Sequence, residues 1–319
     1  MEAASFKDSF RVAKKTSYIL IALAALTLAA PVAAQAGSSG NDKEVPRSNT
    51  FGGDCAKCEL SGRRLHGAHF MNANFSGAVL VGSDLREAHF LTSNFAGADL
   101  TRADLSNSQI ISVNFSGANL SHARLRDTQA VGSIFSDANL SGANLSDASA
   151  QGANFNQAQL IGTIFHSTDM TAANLNRVVA RNADFRDATL RGAVLAYGRF
   201  EKASFKGAAL DLATLSGANF DGADFKDAEM HHTVIAGADL SRARGLTQDQ
   251  IDDACGDSRT RLPKSLSVRT CGINVQMLIR QTVGRRAMPS IPSPPAPPAP
   301  PAPPSPYNRY LVAALGFER

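Results

Sequence analysis

Cysteine and histidine are the residues of this sequence whose chemistry could define a function. The chain has four Cys and seven His. Cys55 and Cys58 form a C-x-x-C pair, a spacing found in zinc sites, haem attachment sites and thioredoxin-like redox motifs. Haem attachment would require a histidine after the second cysteine, and Glu59 occupies that position. No strand-helix-strand pattern surrounds the pair, so a thioredoxin-like role is disfavoured as well.

The histidines do not form a recognisable metal or catalytic motif. His69 and His89 recur at positions i and i+20, and Gln109 and Gln129 continue the series. Two imidazoles without a carboxylate make a poor metal site. The sequence also lacks a phosphate-binding loop, a nucleophile elbow and an H-E-x-x-H helix. We therefore expect no enzymatic activity, no bound metal and no cofactor.

A five-residue repeat contains all seven histidines and determines where they lie. Every fifth residue from Leu60 to Leu240 is apolar and almost always Leu or Phe. The two residues before it are usually Ala and then Asn or Asp, as in Ala98-Asp99-Leu100. No proline or insertion interrupts the pattern between Cys55 and Arg244. The unbroken frame leaves no loop in which a catalytic cleft could form.

This pattern, A-(D/N)-(L/F)-x-x, resembles that of the pentapeptide-repeat family from Cys55 to Arg244. The resemblance implies an all-β fold: a right-handed quadrilateral β-helix in which four pentads close each coil. The sequence supports a period of four pentads, because Phe recurs at positions 75, 95, 115, 135 and 155. We predict that residues 55–244 form this rod, about 45 Å long if coils stack about 4.8 Å apart.

The length of the rod restricts how the cysteines can pair. Cys55 and Cys58 lie at the start of the rod, whereas Cys255 and Cys271 follow its end. A bond between the two ends would span about 45 Å, far beyond the Cα separation of about 7 Å that a disulfide tolerates. If oxidised, Cys55 therefore pairs with Cys58 and Cys255 pairs with Cys271. The same distance excludes one zinc site built from all four.

The segment before the rod predicts export. Residues 1–36 combine a basic start, an apolar run from Tyr18 to Ala34 and a small-residue cleavage site, as in a secretory signal peptide. An uncleaved membrane anchor is the alternative, because the run is nearly long enough to span a bilayer. Cleavage would leave no membrane span and would place a bacterial protein in the periplasm or outside the cell. Residues 37–54 are predicted to be an N-terminal linker.

A short helix is predicted directly after the repeats, over residues 246–255. Thr247 and Gln250 have the spacing of a capping box, and Leu246 and Ile251 occupy the hydrophobic-staple positions. We expect this helix to cover the last coil of the rod. A dimer contact is the rival interpretation.

Four segments complete the chain. Residues 245–272 are the C-terminal cap with its helix, and residues 273–287 are a linker of uncertain character. Residues 288–306 are rich in Pro and Ala. In the extended polyproline conformation this spacer would reach about 55 Å. Residues 307–319 form an aromatic and apolar peptide, so the segment is either a tether or a disordered tail.

Outward-facing positions offer one candidate contact surface. Leu91, Ile111 and Val131 recur at intervals of four pentads, and Ile134 is close in sequence. These four residues are named the apolar ridge here. Exposed apolar stripes can mark protein interfaces. Ordinary β-rich surface is the alternative.

The charge of the repeats argues against nucleic acid as a partner. Residues 55–244 contain 17 Lys and Arg and 18 Asp and Glu. A nucleic-acid-binding protein would be expected to carry a basic stripe. A protein that imitates DNA would need a strongly acidic face. A local excess of Arg and Lys between Arg177 and Lys206 is expected to be solvated surface.

These observations predict an exported, non-catalytic rod that serves a structural role or binds another protein. The protein partner is unknown, and a homodimer is one form that the contact could take. The resemblance also implies an alternative, because the best-known activity of the family is to bind type II topoisomerases by imitating DNA. The signal peptide and the near-neutral repeats disfavour that alternative.

Overall fold

A computed structural model describes residues 52–271, which wind into a parallel β-solenoid. Strands β1 (His69–Met71) and β2 (His89–Leu91) pair in parallel, residue i with residue i+20. Single parallel β-bridges with the same offset join successive coils from Asp54 to Arg244. The predicted repeat β-solenoid is confirmed, together with its i, i+20 stacking. The predicted signal peptide, Pro-rich spacer and C-terminal peptide lie outside the described residues, as does residue 272 at the end of the predicted cap.

The turn in each pentad explains the polar residue of the motif. Asn94 Oδ1 accepts a hydrogen bond from the backbone N–H of Ala96 at 3.1 Å, and Asn114 Oδ1 does the same for Ser116 at 3.0 Å. Such Asx turns favour Asn or Asp at this position. From Leu60 to Ile235, the residue two after each core position adopts positive φ, as in Gly97 with φ of 65°. Glycine adopts this conformation without steric cost.

Stacked phenylalanine rings form the centre of the solenoid. Phe115 lies between Phe95 and Phe135, with ring centroids 5.1 Å and 5.2 Å away, and all three side chains are fully buried. The stack changes column at Phe155, which meets Phe165 edge-to-face at 5.8 Å. The recurrence of Phe at every fourth pentad therefore reflects direct contact between successive coils.

Buried hydroxyls replace alanine at several inward positions, a feature that the sequence analysis missed. Thr163 Oγ1 donates to the Leu140 carbonyl at 2.8 Å, and Thr168 Oγ1 donates to the Leu145 carbonyl at 2.7 Å. Both threonines have no exposed surface. Each hydroxyl therefore satisfies its hydrogen-bonding requirement on the neighbouring coil. Thr at a motif position that usually holds Ala was the available sequence signal.

The C-terminal helix is shorter than predicted. Helix α1 spans Gln248–Asp252, with Thr247 as N-cap, both capping-box hydrogen bonds in place and Asp253 as C-cap. Cys255, the last residue of the predicted helix, instead belongs to β3 (Cys255–Gly256). Strand β3 pairs in parallel with β4 (Arg269–Thr270). Cys255 also bridges to Val234 on the preceding coil. Pairing with the solenoid therefore ends the helix before residue 255.

Coil stacking continues beyond the end of the repeat pattern. The bridge partners keep the i, i+20 offset up to Arg244, but Val234 pairs with Cys255 and Asp239 pairs with Arg261. The extra residues are accommodated around α1. Among residues 52–271, no helix is long and apolar enough to cross a membrane.

Candidate functional site

The apolar ridge forms a column on the outside of the solenoid. The Thr92 N–H donates to the Ile111 carbonyl at 3.3 Å, and the Ser112 N–H donates to the Val131 carbonyl at 3.0 Å. These bonds hold Leu91, Ile111 and Val131 on successive coils. Val131 is 39% exposed, and the other two are partly exposed. Three apolar side chains therefore line up along the axis of the rod, about 4.8 Å apart per coil.

Met71 extends the column by one coil. It pairs with Leu91 in the β1–β2 ladder, and it is 47% exposed. The sequence analysis omitted this residue, although its position four pentads before Leu91 was the available signal. The column therefore has four consecutive large apolar side chains.

Ile134 widens the ridge at its C-terminal end. It bridges Asn114 on one coil and Asn154 on the next. On the coils to either side, asparagines in this column form side-chain ladders, for example from Asn114 Nδ2 to Asn94 Oδ1 at 3.2 Å. Ile134 interrupts the ladder, since its side chain has no donor or acceptor. The result is a local apolar patch beside Val131.

The ridge is also free of charged neighbours. Three outward columns flank it over the same coils, and their residues are polar or small: His69, His89, Gln109 and Gln129 in one, Asn72, Thr92, Ser112 and Gly132 in the second, Asn74, Asn94 and Asn114 in the third. His69 and His89 stack with ring centroids 4.3 Å apart. Burial, with the neighbouring His69, lowers the pKa of His89 below its usual value of 6.5, which favours the neutral ring at pH 7. Ridge and flanking columns together are named the uncharged strip.

The column is unusual within the described part of the solenoid. Residues 52–271 contain no other outward column that places large apolar side chains on two successive coils. The other exposed large apolar residues, Ile164, Tyr197 and Leu212, stand singly in columns of polar, charged or small residues. A recurring pattern of exposed apolar side chains is therefore confined to the ridge.

Charges elsewhere on the solenoid are largely neutralised in local pairs. Arg126 contacts Asp127 at 3.3 Å and Asp147 at 3.1 Å. Arg86 pairs with Asp84 at 2.7 Å, and its hydrogen bond is the main cause that lowers the pKa of the Asp84 carboxyl. Basic residues recur at one turn position, as in Arg86 and Arg126, and acidic residues recur at the next, as in Glu87 and Asp127. Basic and acidic columns therefore lie side by side.

The excess of basic residues between Arg177 and Lys206 is offset by acidic neighbours. Arg186 pairs with Asp184 at 2.6 Å, and Arg191 contacts Asp211 at 3.2 Å. Arg186 and Lys206 recur at i and i+20 and share one outward column, which Lys226 continues, and acidic residues flank this column: Asp184, Asp187, Asp224 and Asp227. The described surface of this segment therefore presents a short basic column between acidic ones.

The cysteines lie in two separate pairs at the ends of the described chain. The Cα atoms of Cys55 and Cys58 are 5.2 Å apart, and those of Cys255 and Cys271 are 4.8 Å apart, with each pair at disulfide distance. Cys271 and Cys255 pack against Val234 and Ala236. The cysteines thus sit where the coil stack begins and ends, away from the ridge.

Ligands for a metal do not come together in the described region. Across residues 52–271, no group of three or more His, Cys, Asp or Glu side chains could hold an ion. His231 instead contacts Asp253, the C-cap of α1, at 3.0 Å. That hydrogen bond is the main cause that raises the pKa of His231 above its usual value.

Comparison with known proteins gives a consistent result. A family model described as pentapeptide repeats matches residues 54–90, 93–128, 138–177, 168–207 and 208–244. The solved structure of HetL, a pentapeptide repeat protein involved in regulating heterocyst differentiation in the cyanobacterium Nostoc sp. strain PCC 7120, is 29% identical. It aligns with a TM-score of 0.58 over 62% of this chain and 91% of HetL.

Two further structures are similar with lower TM-scores. The plasmid-mediated fluoroquinolone resistance protein QnrB1 is 20% identical over 67% of this chain and 97% of its own, with a TM-score of 0.29. A pentapeptide repeat protein from the thylakoid lumen of Arabidopsis thaliana is 30% identical over 33% of this chain and 70% of its own, with a TM-score of 0.27. No curated protein sequence gives a match.

Proposed function

We propose, from the premise that this chain belongs to the pentapeptide-repeat family, that it is an exported, non-catalytic rod that binds another protein along its apolar ridge. The uncharged strip is the observation that carries the proposal. Of four large apolar side chains on successive coils, Met71 and Val131 are exposed and Leu91 and Ile111 are partly exposed, and the flanking columns carry no charged residue. Such a surface is stabilised when a partner covers it.

The proposal includes the finer architecture that the family resemblance implies. The rod is a right-handed quadrilateral β-helix, and α1 covers its C-terminal end. Ile251 is fully buried, and Gln250 Nε2 donates to the carbonyls of Phe225 and Ala228 at 2.9 Å and 2.8 Å. These contacts support a capping role, because they satisfy backbone groups at the open end of the stack.

The export part of the proposal rests on residues 1–36. Their basic start, apolar run and small-residue cleavage site are typical of a secretory signal peptide. Cell fractionation followed by N-terminal sequencing tests this point. A mature chain that begins at Gly37 in the periplasm or the medium is the expected result. An unprocessed cytoplasmic chain would contradict export and would favour the topoisomerase alternative.

Crosslinking in intact cells tests the ridge as an interaction surface. Partners are crosslinked to the wild-type chain and then identified by mass spectrometry. Ile111→Asp and Val131→Asp should abolish the crosslinked species, because a carboxylate would lose its hydration in the covered interface. Leu212→Asp is the matched control, since Leu212 is 65% exposed and lies away from the ridge. Equal crosslinking in the ridge variants and the control would refute the assignment.

A further inference from the structure

We propose that the C-terminal peptide of the same chain, residues 307–319, docks on the apolar ridge and Met71. The inference rests on the proposed function, in which the ridge is a contact surface, and it names the first occupant of that surface. Three observations support this peptide: where the described chain ends, how far the following residues reach, and the chemistry of the two surfaces.

The described chain ends on the same face of the solenoid as the ridge. A continuous series of bridges leads upward from Ile134 to Asn154, Asn174, Val194, Thr214, Val234, Cys255 and Arg269. Arg269 lies just before Cys271, the last described residue. Seven bridges at about 4.8 Å place the exit point about 34 Å from Ile134, directly above it along the rod.

The residues between the exit point and the peptide are long enough to return to the ridge. Residues 272–306 separate Cys271 from the peptide. A flexible chain of this length has a root-mean-square span of about 30–35 Å, and a polyproline run adds about 3.1 Å per residue. The ridge extends from about 34 Å at Ile134 to about 48 Å at Met71, at about 4.8 Å per coil. The peptide can therefore reach the whole ridge without leaving that face.

The peptide matches the strip in polarity. Residues 310–317 read Tyr-Leu-Val-Ala-Ala-Leu-Gly-Phe and contain no charged side chain. The peptide's charged side chains, Arg309, Glu318 and Arg319, flank this core. Since the uncharged strip also lacks charged residues, docking would bury apolar groups on both sides without stripping water from an ion. Burial of an unpaired ion is the cost that opposes most such contacts.

The peptide and the apolar ridge belong to the same chain, and this connection determines whether so small a surface is occupied. The ridge is one column wide except at Ile134, so we expect the free peptide to bind only weakly. The effective concentration that a linker provides is highest when its root-mean-square length matches the span, as it does here for the distance of about 34 Å to Ile134. The peptide would therefore cover the ridge in the same molecule at dilutions where a separate peptide would not. An external partner would have to compete with it.

Photo-crosslinking of the purified full chain tests the inference. A benzophenone amino acid is incorporated at Phe317, the sample is irradiated at micromolar concentration, and crosslinked peptides are identified by mass spectrometry. The expected product is a crosslink within one chain to residues 69–134. Ile111→Asp, and separately Leu315→Asp in the peptide itself, should lower its yield by at least about tenfold. Ile164→Asp should leave the yield unchanged, because Ile164 is 36% exposed and lies in a column that does not flank the ridge.

Leu315→Asp keeps the test interpretable, because this residue follows the repeats in sequence and contributes no core position to them. Crosslinks elsewhere on the rod, or none, would overturn the inference. Crosslinks between two chains, seen as a doubled mass, would identify a second copy as the occupant and overturn it as well. If photo-crosslinking fails while partner capture in cells still depends on Ile111, docking of the peptide is wrong and the proposed function stands.

Discussion

Substitution of Phe115 by alanine tests whether each layer of the solenoid requires a fixed volume. Phe115 is fully buried between two stacked rings at 5.1 Å and 5.2 Å. A Phe to Ala substitution in a core costs about 3–5 kcal/mol, depending on how far the site can collapse. Loss of an aromatic contact accounts for about 0.5–1.5 kcal/mol.

Two features place Phe115→Ala near the upper end of that range. The Phe115 N–H donates to the Ile134 carbonyl at 2.7 Å, and the Phe95 N–H donates to the Asn114 carbonyl at 2.7 Å. These bonds fix the spacing of the coils, so the layer cannot close around the cavity. The rings on either side, Phe95 and Phe135, also stack against Phe75 and Phe155, which holds them out of the cavity. We expect a loss of about 5 kcal/mol in the free energy of unfolding.

Urea denaturation followed by circular dichroism measures this loss, and an unchanged slope would show that the same surface unfolds. Phe115→Leu is the matched variant and should cost about 1.5 kcal/mol, because most of the volume is retained. A loss below about 2 kcal/mol for Phe115→Ala would refute the fixed-volume argument.

Two further predictions concern polar contacts. His231→Gln should lower the thermal midpoint at about pH 5.5 but not at about pH 9. Asp253 raises the pKa of His231 above 6.5, so the stabilisation is fully present below 6.5 and is lost as the pH rises through the higher folded-state value. An equal effect at both pH values would contradict this account. Thr168→Val should reduce the free energy of unfolding by about 1 kcal/mol, because the buried hydroxyl donates to a carbonyl on the neighbouring coil. Chemical denaturation checks this value, and a valine variant as stable as wild type would show that the hydrogen bond has no net effect.

The sequence predicted features that are periodic or local. The apolar residue at every fifth position indicated the solenoid, and the recurrence of Phe at every fourth pentad indicated which rings stack. The capping box at Thr247 depends on residues close together in the chain, and the structure has both of its hydrogen bonds. Such patterns are readable because the contacts they describe repeat at a constant separation or involve near neighbours.

The end of the solenoid depended on tertiary contacts. The helix extends only to Asp252, because Cys255 and Gly256 pair with the coil stack. Beyond Arg244 the bridge partners no longer keep the i, i+20 offset, so periodicity gave no register there. Long-range pairing overrode the local helical pattern, as is common for short helices.

The candidate site shows the same division. Leu91, Ile111 and Val131 could be identified from their spacing, because residues i and i+20 lie on successive coils. Only the folded chain showed that Met71 is exposed beside Leu91, and that the neighbouring columns carry no charge over the same coils. Sequence period determines which residues stack within a column. Which columns lie side by side, and how much of each side chain meets water, is determined by the path of the whole coil.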